Sequence, residues 1–456
     1  MFRTVELPLW LLILILAFAA VTFASHFLFP SVRWFFRRRM ERAVARLNER
    51  LERPIQPFKL ARRFDMIQRL IYDPEVSKAI ADHARAEGVP ENVAFEKAKR
   101  YAREIVPSFS ASAYFGIATR LAKWLSRSLY RVRLVRFDEA ALSAVDREAT
   151  VIFVMNHRSN MDYVLITWLA AERSALAYAV GEWARVWPLS RLVRAMGAYF
   201  IRRRSRNDLY RRVLARYVRM ATDAGVTQAV FPEGGLSLDG GLAPPRLGLL
   251  KYIVEDRPAG GPDVVFIPVA LNYDRVFEDR ILVAAARSGR RRFPARISVV
   301  ARFVLRQIWL RITGRYHRHG YAAASFGAPL SLDAFDADHP GAGVEDLGAE
   351  LMRRLGREVP VLPVPLVADV LLRAEGPLSR DDIARRLRDL VAKMPQAHVH
   401  LPGGDMAYAV RFALQILSAR RIVRETEAGF VLLDAERDLA AYYARSIAHL
   451  CGDRKE

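Results

Sequence analysis

Cysteine is nearly absent from this chain. Cys451 is the only one in 456 residues, so no intrachain disulfide framework can form. The same scarcity argues against cysteine-held metal clusters and against a catalytic cysteine in the central region. Acidic residues are also few: 49 Asp and Glu stand against 71 Lys and Arg, for a formal net charge of +22. Lysine is scarce too, and arginine carries nearly all of the positive charge. Such an excess favours an anionic partner, whether nucleic acid, an anionic membrane surface or a phosphorylated substrate. A general compositional taste for Arg and Ala is the plainer reading, and charge alone says little about fold. No internal repeat is visible, and low complexity is confined to short arginine runs at 202–206 and 287–292. The length allows two or three domains with a sizeable core.

Long hydrophobic runs are likewise rare, and one stands out. Leu7 to Phe29 is apolar apart from Thr22, Ser25 and His26. As a helix this run would be roughly 35 Å long, enough to cross a hydrocarbon core of about 30 Å with some tilt. Arg33, Arg37, Arg38, Arg39, Arg42 and Arg46 follow it, and only Arg3 precedes it. The positive-inside rule then places everything after residue 33 in the cytoplasm, with a single-pass anchor in a bacterial-type inner membrane. A cleaved signal peptide would carry its charge on the other side and would end in a small-residue site. The arginine collar would also bind anionic headgroups.

Residues 35 to about 130 read as helices punctuated by Pro54, Pro57, Pro74, Pro90 and Pro107. Leu121, Trp124, Leu125 and Leu129 form an apolar stripe, read as packing surface, with a membrane-resting face as the alternative. From Arg131 the texture alternates. Strand-like segments stand at 131–137, 150–155, 175–182, 227–235, 264–274 and 321–332, with helical spacing between them. That alternation predicts an α/β domain with a mostly parallel sheet flanked by helices. Beyond about residue 340, helical patterns at 363–374, 379–394 and 406–420 precede a hairpin at 422–433. A small helical domain packed on the α/β domain is the expectation, and a DNA-binding winged helix is the alternative. The domain boundaries read as a 1–33 transmembrane anchor, a 34–130 helical region, a 131–335 α/β domain and a 336–456 C-terminal helical domain.

The stretch Thr150 to Tyr163, TVIFVMNHRSNMDY, organises the rest. A buried strand breaks into a polar loop and feeds a helix, the place where open α/β sheets carry chemistry. His157 and Asp162 lie within that loop and the start of the helix. A curled loop lets the Asp carboxylate hold one ring nitrogen and leaves the other to accept a proton. H-x4-D alone is weak, but three further signals follow in order. GAYFIRRR (197–204) ends in guanidinium groups suited to a phosphate. FPEGG (231–235) puts Glu233 on a glycine turn. IPVALNYD (267–274) places Pro268 in an apolar strand, where proline is at home only at an edge or a bulge.

Together, NHRSNMDYVL, GAYFIRRRSRNDLY, FPEGG and IPVALNYD resemble the four motif blocks of the glycerolipid acyltransferases. The likeness is closest to the glycerol-3-phosphate and dihydroxyacetone-phosphate acyltransferase branch. It extends through FGAPLSL to AYYARSIAHL (441–450), covering about residues 60 to 450. The resemblance implies acyl transfer from acyl-CoA or acyl carrier protein to the sn-1 hydroxyl of glycerol 3-phosphate, with no metal and no cofactor. It implies His157 as general base and Asp162 as its orienting partner. Arg202, with Arg203 helping, would bind the acceptor phosphate. Glu233 and Gly234 would shape the acceptor site, and Pro268 would support the sheet near the acyl donor. Ser159 and Asn160 read as loop-ordering residues.

The family's third block usually carries arginines where this chain has Leu236 and Leu238, and a basic residue further on, here Arg246. Either Arg202, Arg203 and Arg246 suffice for the phosphate, or the acceptor differs: 1-acylglycerol phosphate or another lipid alcohol. A membrane-tethered DNA-binding or scaffold protein is the reading from a different class, and the His157 and Asp162 pair argues against it; no nucleic-acid partner is expected. HRH (317–319) and HVH (398–400) lack a neighbouring second cluster and read as solvated loop histidines rather than metal ligands.

Overall fold

The computed structural model describes the backbone of residues 8–171, 174–181, 189–202, 207–255, 257, 260–289, 309, 313 and 318–451, and their side chains except at 20–37, 40 and 189. The chain divides into two compact units, Met1–Ile55 and Gln56–Glu456.

The first unit is one helix, Leu9–Asn48, entered through Pro8 and closed by the Asn48 side chain, which accepts the Ile55 N–H at 2.9 Å. It runs without interruption from the apolar segment through the arginine collar. Among the described residues no helix is long and apolar enough to cross a membrane, so a spanning anchor is not found there. The side chains of residues 20–37, which include the second part of the expected span, lie outside the described set.

The second unit begins with short amphipathic helices, Arg63–Ile71, Pro74–Glu87 and Glu91–Ile105. Asp73 caps the middle one, accepting the Glu75 N–H at 3.1 Å, and Gly88 ends it at φ 63°. Pro74 at the first helical position is the expected proline punctuation, and the glycine supplies the left-handed end. The apolar faces of these helices share a core with helix Asp208–Asp223 and one face of the sheet.

That sheet contains β1 (Arg131–Arg136), β2 (Thr150–Met155), β3 (Ala177–Val180), β4 (Tyr199–Phe200), β5 (Gln228–Val230), β6 (Val264–Tyr273), β7 (Tyr321–Phe326) and β8 (Leu330–Ser331). The spatial order is β1-β7-β6-β2-β5-β3-β4, with β8 also pairing β6. All pairings are parallel except those of β6 with β7 and β8. β2 and β6 are buried throughout, and their alternate residues feed opposite cores. Ile152, Val154 and Phe266 face the N-terminal helices; Val151, Phe153, Met155 and Val269 face the C-terminal ones. Period-two geometry accounts for this, and burial on both faces explains why β2 reads as an unbroken apolar run.

Pro268 departs from expectation. It lies in a central strand, paired with Val154 of β2, at neither an edge nor a bulge. Its other side faces the interruption between β7, which pairs Val269–Tyr273, and β8, which pairs Val265 and Phe266. The Pro268 carbonyl accepts the Gly327 N–H at 2.8 Å, and no donor is asked of the proline nitrogen at that break. The single strand expected at 321–332 is for the same reason two strands.

The apolar stripe also differs. Helix Thr119–Leu129 buries Thr119, Ala122, Ser126 and Leu129, while Leu121 and Trp124 stay exposed beside Ile117. Half of the stripe is therefore surface.

The C-terminal region folds as helices Pro363–Leu372, Arg380–Ala392 and Met406–Ala419, then the antiparallel hairpin β9 (Val423–Thr426) and β10 (Gly429–Leu432), then helix Arg437–Ala444. Helix Pro363–Leu372 is almost wholly buried, and its apolar residues belong to the same core cluster as β2, β6 and β7.

Candidate functional site

At the end of β2 the Asn156 side chain acts as one more rung of the sheet. Its amide donates to the Leu271 carbonyl at 2.9 Å and accepts the Leu271 N–H at 2.8 Å. The following residues turn until Asn160, the cap of helix Met161–Leu169. Asp162 sits in the first turn, where the helix dipole favours a carboxylate. Its Oδ2 accepts from His157 Nδ1 at 2.9 Å, from the Arg158 N–H at 2.7 Å and from the Ser159 N–H at 3.0 Å. Its Oδ1 accepts from the Tyr273 hydroxyl at 2.7 Å. Buried with no exposed surface, the carboxylate is held by charge-assisted bonds on both oxygens. With Nδ1 donating to Asp162, His157 presents Nε2 as the proton acceptor, and that atom makes no hydrogen bond among the described residues.

A second layer fixes the loop. Glu278 accepts from Ser159 Oγ at 2.8 Å and from Asn160 Nδ2 at 2.9 Å, and burial raises its pKa. Glu233 accepts the His157 N–H at 3.0 Å and the Ala243 N–H at 3.2 Å. Burial pushes the Glu233 carboxyl up to about 7, against the pull of the His157 N–H and the nearby Arg158. Arg158 is fully buried and donates to the Gly240 and Ser446 carbonyls. Gly240, at φ 87°, lies so close to the Tyr442 carbonyl that a Cβ there would stand 1.8 Å from its oxygen. The C-terminal helix thus closes directly on the turn that holds Arg158.

The His157 ring packs against Phe231, with centroids 4.2 Å apart, and edge-on to Tyr163 at 5.3 Å. Phe231 and Tyr163 also line a cavity of about 140 Å³. Its walls include Val154, Ala179, Val230 and Leu351, with the exposed Arg246 beside Gly234. Gly234, at φ 68°, gives Arg246 its place, since a Cβ there would meet the arginine Cδ at 2.5 Å. An oriented imidazole therefore stands next to an apolar hole with one guanidinium at its side.

The family model described as Acyltransferase matches residues 135–272, from the end of β1 through β6. That match takes in the His157 loop, Glu233 and Arg246. A glycerol-3-phosphate acyltransferase of Aeromonas hydrophila is 27% identical over 423 residues, covering 86% of this chain and 50% of that protein. One from Pseudomonas entomophila is 27% identical over 90% of this chain and 52% of its own. A Mycobacterium tuberculosis protein named as an acyltransferase is 28% identical over 84% of this chain and 62% of its own. The chain thus spans about half the length of the first two relatives. The crystal structure of a 1-acyl-sn-glycerophosphate acyltransferase from Thermotoga maritima is 18% identical, covers 57% of this chain and 78% of its own, and superposes with a TM-score of 0.32.

Within residues 135–272 the structure brings together His157, Asp162, Glu233, Gly234 and Arg246. It does not add Arg202 to them as a free cation. Arg202 makes a bidentate pair with Glu104, at 2.9 and 2.7 Å, and lies over the rings of Tyr101 and Tyr210. Arg203 lies outside the described residues. Leu236 and Leu238 pack against the main core. Pro268 lines a different cavity. Tyr273 and Glu278 escaped the sequence reading. Tyr273 stood within a quoted motif, but nothing in its spacing says that its hydroxyl meets Asp162. The histidines need correcting as well. His319 is buried against Phe277 and Tyr130, and His400 is half-buried against Tyr321, so neither is a solvated loop histidine; His317 lies outside the described residues. Among the described residues no group of three or more His, Cys, Asp or Glu side chains is placed to hold a metal ion.

Proposed function

We propose that the chain transfers a fatty acyl group from a thioester, acyl-CoA or acyl carrier protein, to the sn-1 hydroxyl of glycerol 3-phosphate, giving lysophosphatidic acid for phospholipid synthesis. The observation that carries this reading is the buried His157 and Asp162 pair beside an apolar cavity. His157 Nε2 takes the proton of the acceptor hydroxyl as its oxygen attacks the thioester carbonyl. The tetrahedral intermediate collapses, the C–S bond breaks, and the leaving thiolate takes the proton from the imidazolium. Asp162 orients the ring and stabilises its charged form, and such base catalysis is worth about 10²–10⁴ in rate. The Phe231 and Tyr163 cavity receives apolar chain, and Arg246 meets the acceptor phosphate, with Arg202 and Arg203 as further cations.

The second reading is acylation of 1-acylglycerol phosphate. Its support is that Leu236 and Leu238 pack inward and Arg202 is already paired, so fewer cations face a small phosphate. We also place the protein at the cytoplasmic face of a membrane. The apolar segment with its arginine collar supports that placement, as do exposed Ile117, Leu121 and Trp124 beside Arg120, Lys123 and Arg127. Apolar anchors flanked by cations suit an anionic surface.

The test supplies labelled glycerol 3-phosphate, and in parallel 1-acylglycerol phosphate, to membranes holding the full chain, with acyl-CoA and then acyl carrier protein. Label entering lysophosphatidic acid and lost in His157→Ala supports the first reading. Turnover only with the monoacyl acceptor moves the assignment to the second. No His157-dependent turnover with either rejects both.

A further inference from the structure

A second cavity, of about 350 Å³, lies away from His157. The sheet itself opens its floor. Where β6 changes partners at Pro268, the segment after β7 swings out of the ladder, and Gly327 and Ala328 leave little side chain to fill the gap. The His157 loop attaches further along β6, where Asn156 grips Leu271. The two sites therefore sit at different levels of the same strand.

The walls are cationic. Arg136 comes from β1, and Arg353, Arg354 and Arg357 from the last turns of helix Val344–Arg357, with Gln396 and His398 opposite. Two carboxylates answer them. Buried Glu358 accepts from Arg136 at 2.8 Å, from Ser325 Oγ at 2.9 Å and pairs with His398 at 3.1 Å. Glu350 takes Arg353 and Arg354, at 2.6 and 2.7 Å. Four guanidinium groups against two carboxylates leave two positive charges, with His398 counted neutral. Arg357 is exposed and has no ion-pair partner among the described residues. Part of the clustering suits the negative end of a helix dipole. That does not explain Arg136, which arrives from another element, nor why the surplus surrounds a hollow of ligand size.

We propose that this hollow is a second anion site that takes a phosphate ester. A phosphate carries up to two negative charges and accepts the paired N–H bonds that arginine offers. The shared chemistry fits a soluble phosphate ester and a phospholipid headgroup alike, and the experiment separates them. The inference does not depend on the acyl-transfer reading, because its readout involves no turnover.

The full chain in detergent is treated with phenylglyoxal, and modification of Arg353 and Arg357 is followed by mass spectrometry. The reaction is run with inorganic phosphate, with glycerol 3-phosphate, and with phosphatidylcholine vesicles lacking or containing phosphatidic acid. Binding of each protecting probe is then compared with the Arg357→Gln chain, whose substitution on an exposed side chain leaves the Glu358 and Glu350 pairs intact. Protection by the soluble probes, with affinity falling at least about ten-fold in Arg357→Gln, identifies a soluble ester. Protection only by vesicles containing phosphatidic acid, with the same loss, identifies a headgroup. Absence of protection by every probe, or unchanged affinity in Arg357→Gln, overturns the proposal.

Discussion

Two arginines that flank the α/β sheet stand in opposite conditions. Arg202 is pinned by both oxygens of Glu104 between two tyrosine rings. Arg246 is exposed at the apolar cavity, with no ion-pair partner among the described residues. The same contrast holds more widely. Around His157 the polar groups of the loop are engaged by carboxylates and carbonyls, whereas the rim keeps a cation in reserve. A proton acceptor has to be in position before substrate arrives, because its geometry cannot be supplied by the ligand. A recognition charge works in the other way: it must exchange water for the ligand and loses its use if a protein carboxylate already occupies it.

The strongest way to break this contrast is to remove the prebuilt half. His157→Ala should lower turnover by about 10²–10⁴ and lower the melting temperature as well, since it empties a buried ring's place and removes one bond to Asp162. Asp162→Asn should lower turnover to a similar degree and also cost about 2–4 kcal/mol of stability, since one oxygen becomes a donor facing N–H groups. Denaturant melts alongside rate measurements separate the two effects. Asp162→Asn with unaltered stability would contradict the bonding described here.

The arginines themselves come next. Arg246→Gln should raise KM for the acceptor about ten-fold with kcat nearly unchanged, as expected for a lost charge-assisted contact. Arg202→Gln should instead cost about 1–2 kcal/mol of stability by leaving Glu104 unpaired, with the smaller change in KM. If the two variants exchange these signatures, Glu104 releases Arg202 when substrate binds, and the distinction between pinned and free collapses.

The pH response sharpens the comparison further. Glu233 is raised to about 7 by burial, and so is Asp274. In the interval between their ordinary values and about 7 the folded chain holds protons that the unfolded chain has released. Stability should therefore be greatest at the acid end of that window and fall as pH rises through 7, by up to about 3 kcal/mol for Glu233. Glu233→Gln should flatten the slope in melts taken from pH 5 to pH 8, leaving the Asp274 part. Tyr273→Phe is the mildest test. It removes one bond to Asp162 and should cost about 1 kcal/mol, with kcat reduced only a few-fold.

The sheet was legible in the sequence because β2 and β6 are buried on both faces and read as continuous apolar runs between polar turns. The pairing of His157 and Asp162 was legible because both lie on one short loop, where sequence distance limits spatial distance. Contacts across long separations were hidden. Glu278 reaches Ser159 and Asn160 from beyond β6, Glu104 comes to Arg202 from an earlier helix, and Tyr442 reaches Gly240 from the far C-terminal helix. Nothing in residue spacing marks these as partners. Pro268 misled for a related reason: a proline inside a strand argues for an edge only when the neighbouring strand is continuous, and here the neighbour changes at that residue.

The closure of Tyr442 and Ser446 on the Gly240 and Arg158 region has a consequence for how the protein is made. A nascent chain that has reached residue 430 already contains His157, Asp162, Glu233 and every strand of the large sheet. It still lacks one of the two carbonyls that hold Arg158, that of Ser446, and the helix that closes over Gly240. The His157 loop therefore stays unfinished after its own residues are made, and its geometry becomes complete only when the segment around Ser446 has emerged and docked.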